Sequence, residues 1–301
     1  MNVSMKTMVS VIVATHRRDR GLAEALESLA QQTYENVEIV LVDDSADETW
    51  NNKVGAIVTA FRAAHPDANM QHLVNEENLG SAKTRNKGIE AARGEYVTFL
   101  DDDDVYLPEK VARQVQLMID GGFDYSTTDL DLYNEQGKLV DQRIRTYIKE
   151  TDYHSLLKYH LMHHLTGTDT LMFRRDYLIK IGMFAPIDAG DEYYLMQRAI
   201  DGKGKFGYLP GCDIKAYIHT GNGGLSSGDF KIKGEKALLA FKKQYFAMLS
   251  KKDQRYIMMR HHAVVAFAEI RRKKYGQFFV GALRAFGWSP FGLLRMVLIE
   301  R

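Results

Sequence analysis

Gly94-Glu95-Tyr96-Val97-Thr98-Phe99-Leu100-Asp101-Asp102-Asp103-Asp104 is the stretch whose reading decides the fold. Val97, Phe99 and Leu100 are branched or aromatic and follow a glycine, the pattern of a short buried strand. That strand ends abruptly in four consecutive carboxylates. Like charges gathered at one strand end repel, so a cation is expected to offset them. Hard oxygen ligands suit Mg²⁺ or Mn²⁺, and Mg²⁺ is commonly held by one or two carboxylates together with substrate phosphate oxygens. The competing reading is a solvated acidic turn ahead of a helix that starts near Pro108.

Outward from this stretch the chain alternates strand and helix. Val9–Ala14 (VSVIVA) and Val37–Val42 (VEIVLV) are near-continuous apolar runs, as expected of strands buried on both faces. Helical spacing is read over 21–32, 49–64 and 80–93, with a short strand at Gln71–Val74. Short connections between alternating elements predict a mostly parallel α/β sheet flanked by helices. In such sheets ligands sit beyond the carboxyl ends of the strands. Thr15, Asp43–Asp44 and Asp101–Asp104 all fall there. From about 125 to 220 the pattern shifts to short strands around a helical segment near 152–164, and the last 71 residues read as helical.

Composition bounds the function further. The 301 residues are 45% hydrophobic and 26% charged, which is globular. A single cysteine, Cys212, excludes an intrachain disulfide and fits a reducing compartment. No signal-peptide core and no run of apolar residues long enough to span a bilayer is expected. The net charge of +1 conceals an asymmetry: residues 231–301 carry 16 Lys/Arg against 4 Asp/Glu, and the rest carries 24 against 35. An acidic body argues against a nucleic-acid partner, whereas a basic tail suits an anionic surface. Arg271-Arg272-Lys273-Lys274, followed by Tyr275, Phe278, Phe279, Phe286, Trp288 and Phe291, fits an interfacial segment on an anionic leaflet. The same residues also suit a helical subdomain with its aromatics packed inward.

Four motifs occur in order: Thr15-His16-Arg17; Val42-Asp43-Asp44-Ser45; Asn78-Leu79-Gly80 with Arg85-Asn86-Lys87-Gly88; and Leu100 followed by Asp101–Asp104. Together they resemble the inverting GT-A glycosyltransferases of the broad group called family 2, over roughly residues 8–225. The resemblance implies a Rossmann-like nucleotide-diphospho-sugar transferase fold, with a catalytic domain over 1–228 and a basic helical extension over 229–301. Within the catalytic domain it implies a nucleotide-binding half (1–105) and an acceptor-binding half (106–228). Thr15, Arg17, Asp43, Asp44, Arg85, Asp101 and Asp102 would serve the nucleotide, with Asp43 on the base edge. Asp103, Asp101 and His219 would serve Mn²⁺ or Mg²⁺. If extended backbone continues, Asp101 and Asp103 share a face while Asp102 turns away.

Ala189-Gly190-Asp191-Glu192, followed by Leu195 and Arg198, resembles the family's acidic pair. The resemblance points to Glu192 as the base that deprotonates the acceptor, with Asp191 a live candidate. An acidic first turn also merely complements a helix dipole. The implied partners are a nucleoside-diphosphate sugar, with uridine the default, and a glycan or lipid-linked acceptor of a bacterial-type surface polysaccharide. The implied location is cytoplasmic, peripheral on the inner membrane face. Two other readings are a haloacid-dehalogenase-like phosphatase with Asp101 as nucleophile, and a sugar-nucleotide-binding protein without catalysis.

Overall fold

The computed structural model describes residues 7–187, 190–218 and 228–298. The first half alternates as β1 (Val9–Thr15), α1 (Arg20–Ala30), β2 (Val37–Asp43), α2 (Glu48–Ala64), β3 (Asn69–Val74), α3 (Ser81–Ala91) and β4 (Tyr96–Asp101). After the acidic turn come β5 (Val105–Tyr106), α4 (Lys110–Gly121), β6 (Tyr125–Thr128), β7 (Leu130–Asn134), β8 (Leu139–Arg143) and α5 (Tyr153–His163). Then follow β9 (Met172–Arg174), α6 (Arg175–Lys180), α7 (Asp191–Asp201), β10 (Phe206–Leu209) and β11 (Ile214–Ile218). The chain closes with α8 (Gly228–Lys243), α9 (Lys251–Arg271), α10 (Tyr275–Trp288) and α11 (Pro290–Leu298).

By contact density the chain divides into two units, one of residues 1–151 and 165–218, the other of 152–164 and 219–301. The segment 152–164, assigned to the catalytic domain on sequence grounds, groups with the C-terminal helices. Sequence periodicity identifies α5 as a helix but carries no information about which helices it packs against.

In the first unit a seven-stranded sheet has the order β10-β6-β9-β4-β1-β2-β3. β4, β1, β2 and β3 run parallel. β9 is antiparallel to both its neighbours. Parallel neighbours need crossovers, which α1, α2 and α3 supply. Val9, Val11, Val13, Ile39, Leu41 and Leu100 are buried with Leu22, Leu26, Val54 and Val111 of the flanking helices. Register pairs Thr15 with Asp43 and Ala14 with Asp101, so three strands end at one level. A second sheet, β5-β11-β7-β8, lies in the same unit.

The segment Arg85–Gly88 shows how packing positions a polar side chain. A Cβ on Gly88 would stand 2.5 Å from Ile12 Cγ2 and 3.3 Å from Val42 Cγ2, so only glycine lets α3 rest this closely on β1 and β2. Lys87 Nζ donates to Asn75 Oδ1 at 2.7 Å and ties the helix to the end of β3. Asn86 donates to the Phe184 carbonyl at 2.9 Å and accepts from its N–H at 3.0 Å, fixing the chain before α7.

The second unit is helical. α9 is capped by Ser250, whose Oγ accepts from Asp253 N at 3.2 Å and donates to the Asp253 carboxylate at 2.6 Å. His163 stacks on Tyr256 with ring centroids 5.4 Å apart. His164 Nε2 lies 2.6 Å from Lys242 Nζ and 2.9 Å from an Arg260 nitrogen. Met259, Ala263 and Ala285 form a small core, with Leu293 and Met296 of α11 packed on it.

Replacing Gly88 by valine is expected to lower stability by about 1–3 kcal/mol through overpacking. Gly55 lies inside α2, where an added Cβ meets nothing within 4 Å. Gly55→Ala is expected to raise stability by up to about 1 kcal/mol through helix propensity. Urea unfolding of both variants checks the pair: equal effects would refute the packing argument.

Candidate active site

Extended backbone stops at Asp101. The next residues form a turn in which Asp104 N–H donates to the Asp101 carbonyl at 3.1 Å. Alternation therefore no longer decides which carboxylates meet. In such a turn positions i and i+3 approach, and oxygens of Asp101, Asp104 and Asp169 lie within 4.8 Å of one another. Asp169 comes from a 3-10 turn over Thr168–Thr170 and accepts the Asp101 N–H at 2.9 Å. Asp104 accepts Tyr217 N–H at 2.8 Å. Burial pushes the Asp104 carboxyl up, and Asp169 adds to the shift. Burial, then Asp101, raises Asp169 to about 7. Two carboxyls buried this close to each other disfavour ionising both at once.

Beneath this pair is Lys110, fully buried on α4. Its Nζ lies 2.6 Å from both Thr98 Oγ1 and Tyr106 OH. Tyr106 OH donates in turn to the Phe99 carbonyl and lies 3.1 Å from the Asp169 carbonyl. Burial lowers the lysine well below its ordinary value. Asp103 is turned elsewhere: its carboxylate meets Arg18 at 3.1 Å, while Arg18 Nε meets Asp102 at 2.9 Å. Asp102 also accepts Thr15 Oγ1–H at 2.6 Å, and burial raises it to about 6.

Arg85, carried by α3 one turn before Gly88, joins the two acidic segments. One guanidinium nitrogen is 2.6 Å from Asp101 and another 2.9 Å from Asp191. Burial disfavours its charge, but Asp101 and then Asp191 outweigh this and raise its pKa. Its plane lies 5.5 Å from the Phe184 ring, which packs edge-on against Phe99 of β4. Asp191 opens α7. It accepts from Arg85, from Ser81 Oγ at 3.2 Å and from Glu192 N–H at 3.0 Å. Glu192 is raised to about 7, first by burial and then by the charge of Asp191. Two adjacent carboxylates are thus differentiated: Asp191 is held in an ion pair, and Glu192 is a carboxyl that exchanges its proton near neutrality.

At the end of β2 the two aspartates also differ. Asp44 accepts from Asn75 Nδ2 at 2.7 Å, Leu79 N–H at 2.8 Å and Gly80 N–H at 2.9 Å. It folds the Asn78-Leu79-Gly80 loop around itself, and Gly80 takes the φ of +77° that this loop requires. Asp43 uses Oδ1 to accept Ser45 N–H at 2.9 Å, and its buried Oδ2 has no hydrogen-bond partner among the described residues. Arg17 is exposed at φ +51°, with its N–H on Ser45 Oγ at 3.1 Å.

The structure thus brings Arg85, Asp101, Asp191 and Glu192 together. Thr15 and Asp102 meet beside them, and Asp43 and Asp44 stand at the neighbouring strand end. His219 lies outside the described residues. Sequence reasoning did not single out Asp169, Arg18 or Lys110. Asp169 sits in Thr168-Asp169-Thr170, a loop with no periodicity to mark it. The donor set is carboxylate throughout, so it fits a hard divalent cation. Asp101 ends the fourth strand with its carboxylate bound to a buried arginine, an arrangement that does not suit a phosphatase nucleophile.

Comparison with known proteins follows the same line. The profile described as "Glycosyl transferase family 2" matches residues 10–182. An uncharacterised glycosyltransferase of Methanocaldococcus jannaschii is 28% identical over 206 residues, covering 67% of each chain. The UDP-Glc:alpha-D-GlcNAc-diphosphoundecaprenol beta-1,3-glucosyltransferase WfgD of Escherichia coli is 26% identical over 145 residues, 47% of this chain and 54% of that one. Among other curated relatives, the chain spans 21% of a Rickettsia felis protein and 55% of one from Haemophilus influenzae. Among solved structures, S. aureus TarS 1-349 in complex with UDP-GlcNAc is similar with a TM-score of 0.60 at 20% identity, covering 92% of this chain and 90% of that one. The mannosyltransferase PcManGT of Pyrobaculum calidifontis, in complex with GDP-Man and Mn²⁺, gives 0.56 at 17% identity, covering 97% and 76%. These likenesses show the fold as GT-A, a helix-flanked α/β sheet. With more than half of its length matched by the family profile, the chain belongs to glycosyl transferase family 2.

Proposed function

We propose that this protein transfers a sugar from a nucleoside-diphosphate donor, a UDP-sugar by default, to an acceptor hydroxyl with inversion. The observation that carries the proposal is the Arg85 bridge, which sets the strand-end acid Asp101 beside the acidic pair Asp191–Glu192. The donor is assigned to the ends of β1, β2 and β4. The partnerless Asp43 Oδ2 suits the imide N–H of a uracil-like base. Asp44 is assigned to shaping the loop that flanks the base, and Thr15, Arg17 and Asp102 to the nucleotide wall.

Asp101 and Asp103 are the proposed holders of Mn²⁺ or Mg²⁺, with His219 a third by family resemblance. Both aspartates retain access to solvent, whereas Asp104 and Asp169 are buried. The buried pair is therefore assigned to holding the turn. A bound cation supplies charge neutralisation for the departing diphosphate. Glu192 is the proposed base. It takes the acceptor hydroxyl proton as the acceptor oxygen bonds to the anomeric carbon and the bond from that carbon to the diphosphate oxygen breaks. Asp191 is paired with Arg85, and it raises the neighbouring Glu192.

The acceptor is proposed to be a glycan, lipid-linked as the E. coli relative's name states for that protein, in surface polysaccharide synthesis. The corresponding location is the cytoplasmic membrane face, reached through the C-terminal unit. No nucleic acid is invoked.

Two measurements test this reading. Glu192→Gln is expected to lower kcat by about 10²–10⁴-fold at unchanged donor KM. In wild type, activity is expected to fall as pH drops through about 7, because Glu192 gains its proton there. Asp191→Asn should shift that limb to lower pH by removing the like charge, and an unmoved limb would refute the assignment. In a thermal-shift screen of UDP, GDP, dTDP and CDP, one nucleotide with Mn²⁺ is expected to raise the melting temperature. Asp103→Ala should abolish the shift and Asp169→Asn should keep it. The opposite pattern would move the cation to the buried triad, and no shift under any condition would end the donor proposal.

A further inference from the structure

The segment Tyr275–Leu298, which forms α10 and α11, contains no aspartate or glutamate. Its inner face is built of small and apolar residues. A Cβ on Gly281 would stand 2.9 Å from Ala266 Cβ, and Ala285, Leu293 and Met296 pack with Met259 and Ala263 of α9. The outer face is apolar too. Tyr275, Phe279, Leu283 and Phe286 recur at helical spacing on α10, and Phe291, Leu294 and Leu298 do so on α11. Phe279 is 63% exposed, Leu283 72%, Phe291 86% and Leu298 75%. Contiguous apolar surface of this kind marks an interaction site on a folded protein.

Length excludes crossing a bilayer. At about 1.5 Å per residue, helices of 14 and 9 residues span roughly 21 Å and 14 Å, against a hydrocarbon core of about 30 Å. Among the described residues no helix is long and apolar enough to cross. Charge selects the occupant. Exposed Arg271, Lys273 and Lys274 immediately precede α10, and exposed Arg284 lies on it. A second copy docked isologously would set this basic, carboxylate-free segment against itself. An anionic lipid headgroup layer satisfies both the arginines and lysines and the aromatic face.

We propose that α10 and α11 lie in the headgroup region of an anionic membrane, with Phe279, Leu283, Phe286 and Phe291 inserted and Arg271, Lys273, Lys274 and Arg284 on lipid phosphates. The inference specifies the surface partner named above but does not depend on the transfer chemistry; failed transfer would leave vesicle binding untouched. The test is flotation of the full chain with vesicles of phosphatidylcholine plus phosphatidylglycerol, and with phosphatidylcholine alone. Wild type is expected to float with the anionic vesicles. Replacing Arg271, Lys273 and Lys274 together by glutamine should weaken binding roughly a hundredfold, at about fivefold per basic residue. Phe279→Glu, Leu283→Glu and Phe291→Glu combined should abolish it, with circular dichroism confirming the fold. Wild type left unbound by both vesicle types, or the triple glutamate variant floating like wild type, would overturn the proposal. So would a wild-type dimer in sedimentation that this variant turns into a monomer without vesicle binding, since the face would then belong to a second copy.

Discussion

One buried guanidinium organises the first unit's chemistry. Arg85 stands between Asp101, at the end of a strand, and Asp191, at the start of a helix more than a hundred residues later in sequence. Taking such an ion out of water is expensive, and only good geometry to both carboxylates offsets the cost. Removing the arginine would leave Asp101 and Asp191 without the cation that pairs with both. The glycine that seats α3, the asparagine that grips Phe184 and the lysine on Asn75 all serve to hold that one side chain in place.

The remaining acids are disposed of in three ways. Some share one cation, as Asp102 and Asp103 share Arg18. Others are buried against each other with raised pKa values, as Asp104 and Asp169 are. Asp44 is consumed by backbone and amide donors. The exception is Glu192, pushed up to about 7 by burial and by its neighbour. Asp169 is raised to a similar value, so the shift alone does not single Glu192 out; its place next to Asp191 on the Arg85 bridge does.

The sheet was legible because β1, β2 and β4 are apolar runs that no helix would tolerate between short polar turns. The motif segments were legible as segments, but their internal roles were not. Strand alternation predicted Asp101 and Asp103 on one side. The chain leaves the extended conformation at Asp101, so a turn hydrogen bond, not pleat, decides which oxygens meet. Asp169 was invisible because a single acid among threonines has no pattern, and only the tertiary fold carries it 68 positions back to Asp101. The grouping of α5 with the C-terminal helices was likewise a matter of packing. Periodicity says that a helix has an apolar stripe, not what covers it.

Lys110 has a use outside the chemistry. Its ammonium is enclosed by Thr98 and Tyr106, so an amine-reactive reagent cannot reach it while α4 stays on the sheet. Exposed lysines elsewhere would be labelled at once. Slow labelling at this one position, read by mass spectrometry, would therefore time the spontaneous openings of the layer under the acidic turn in the native ensemble.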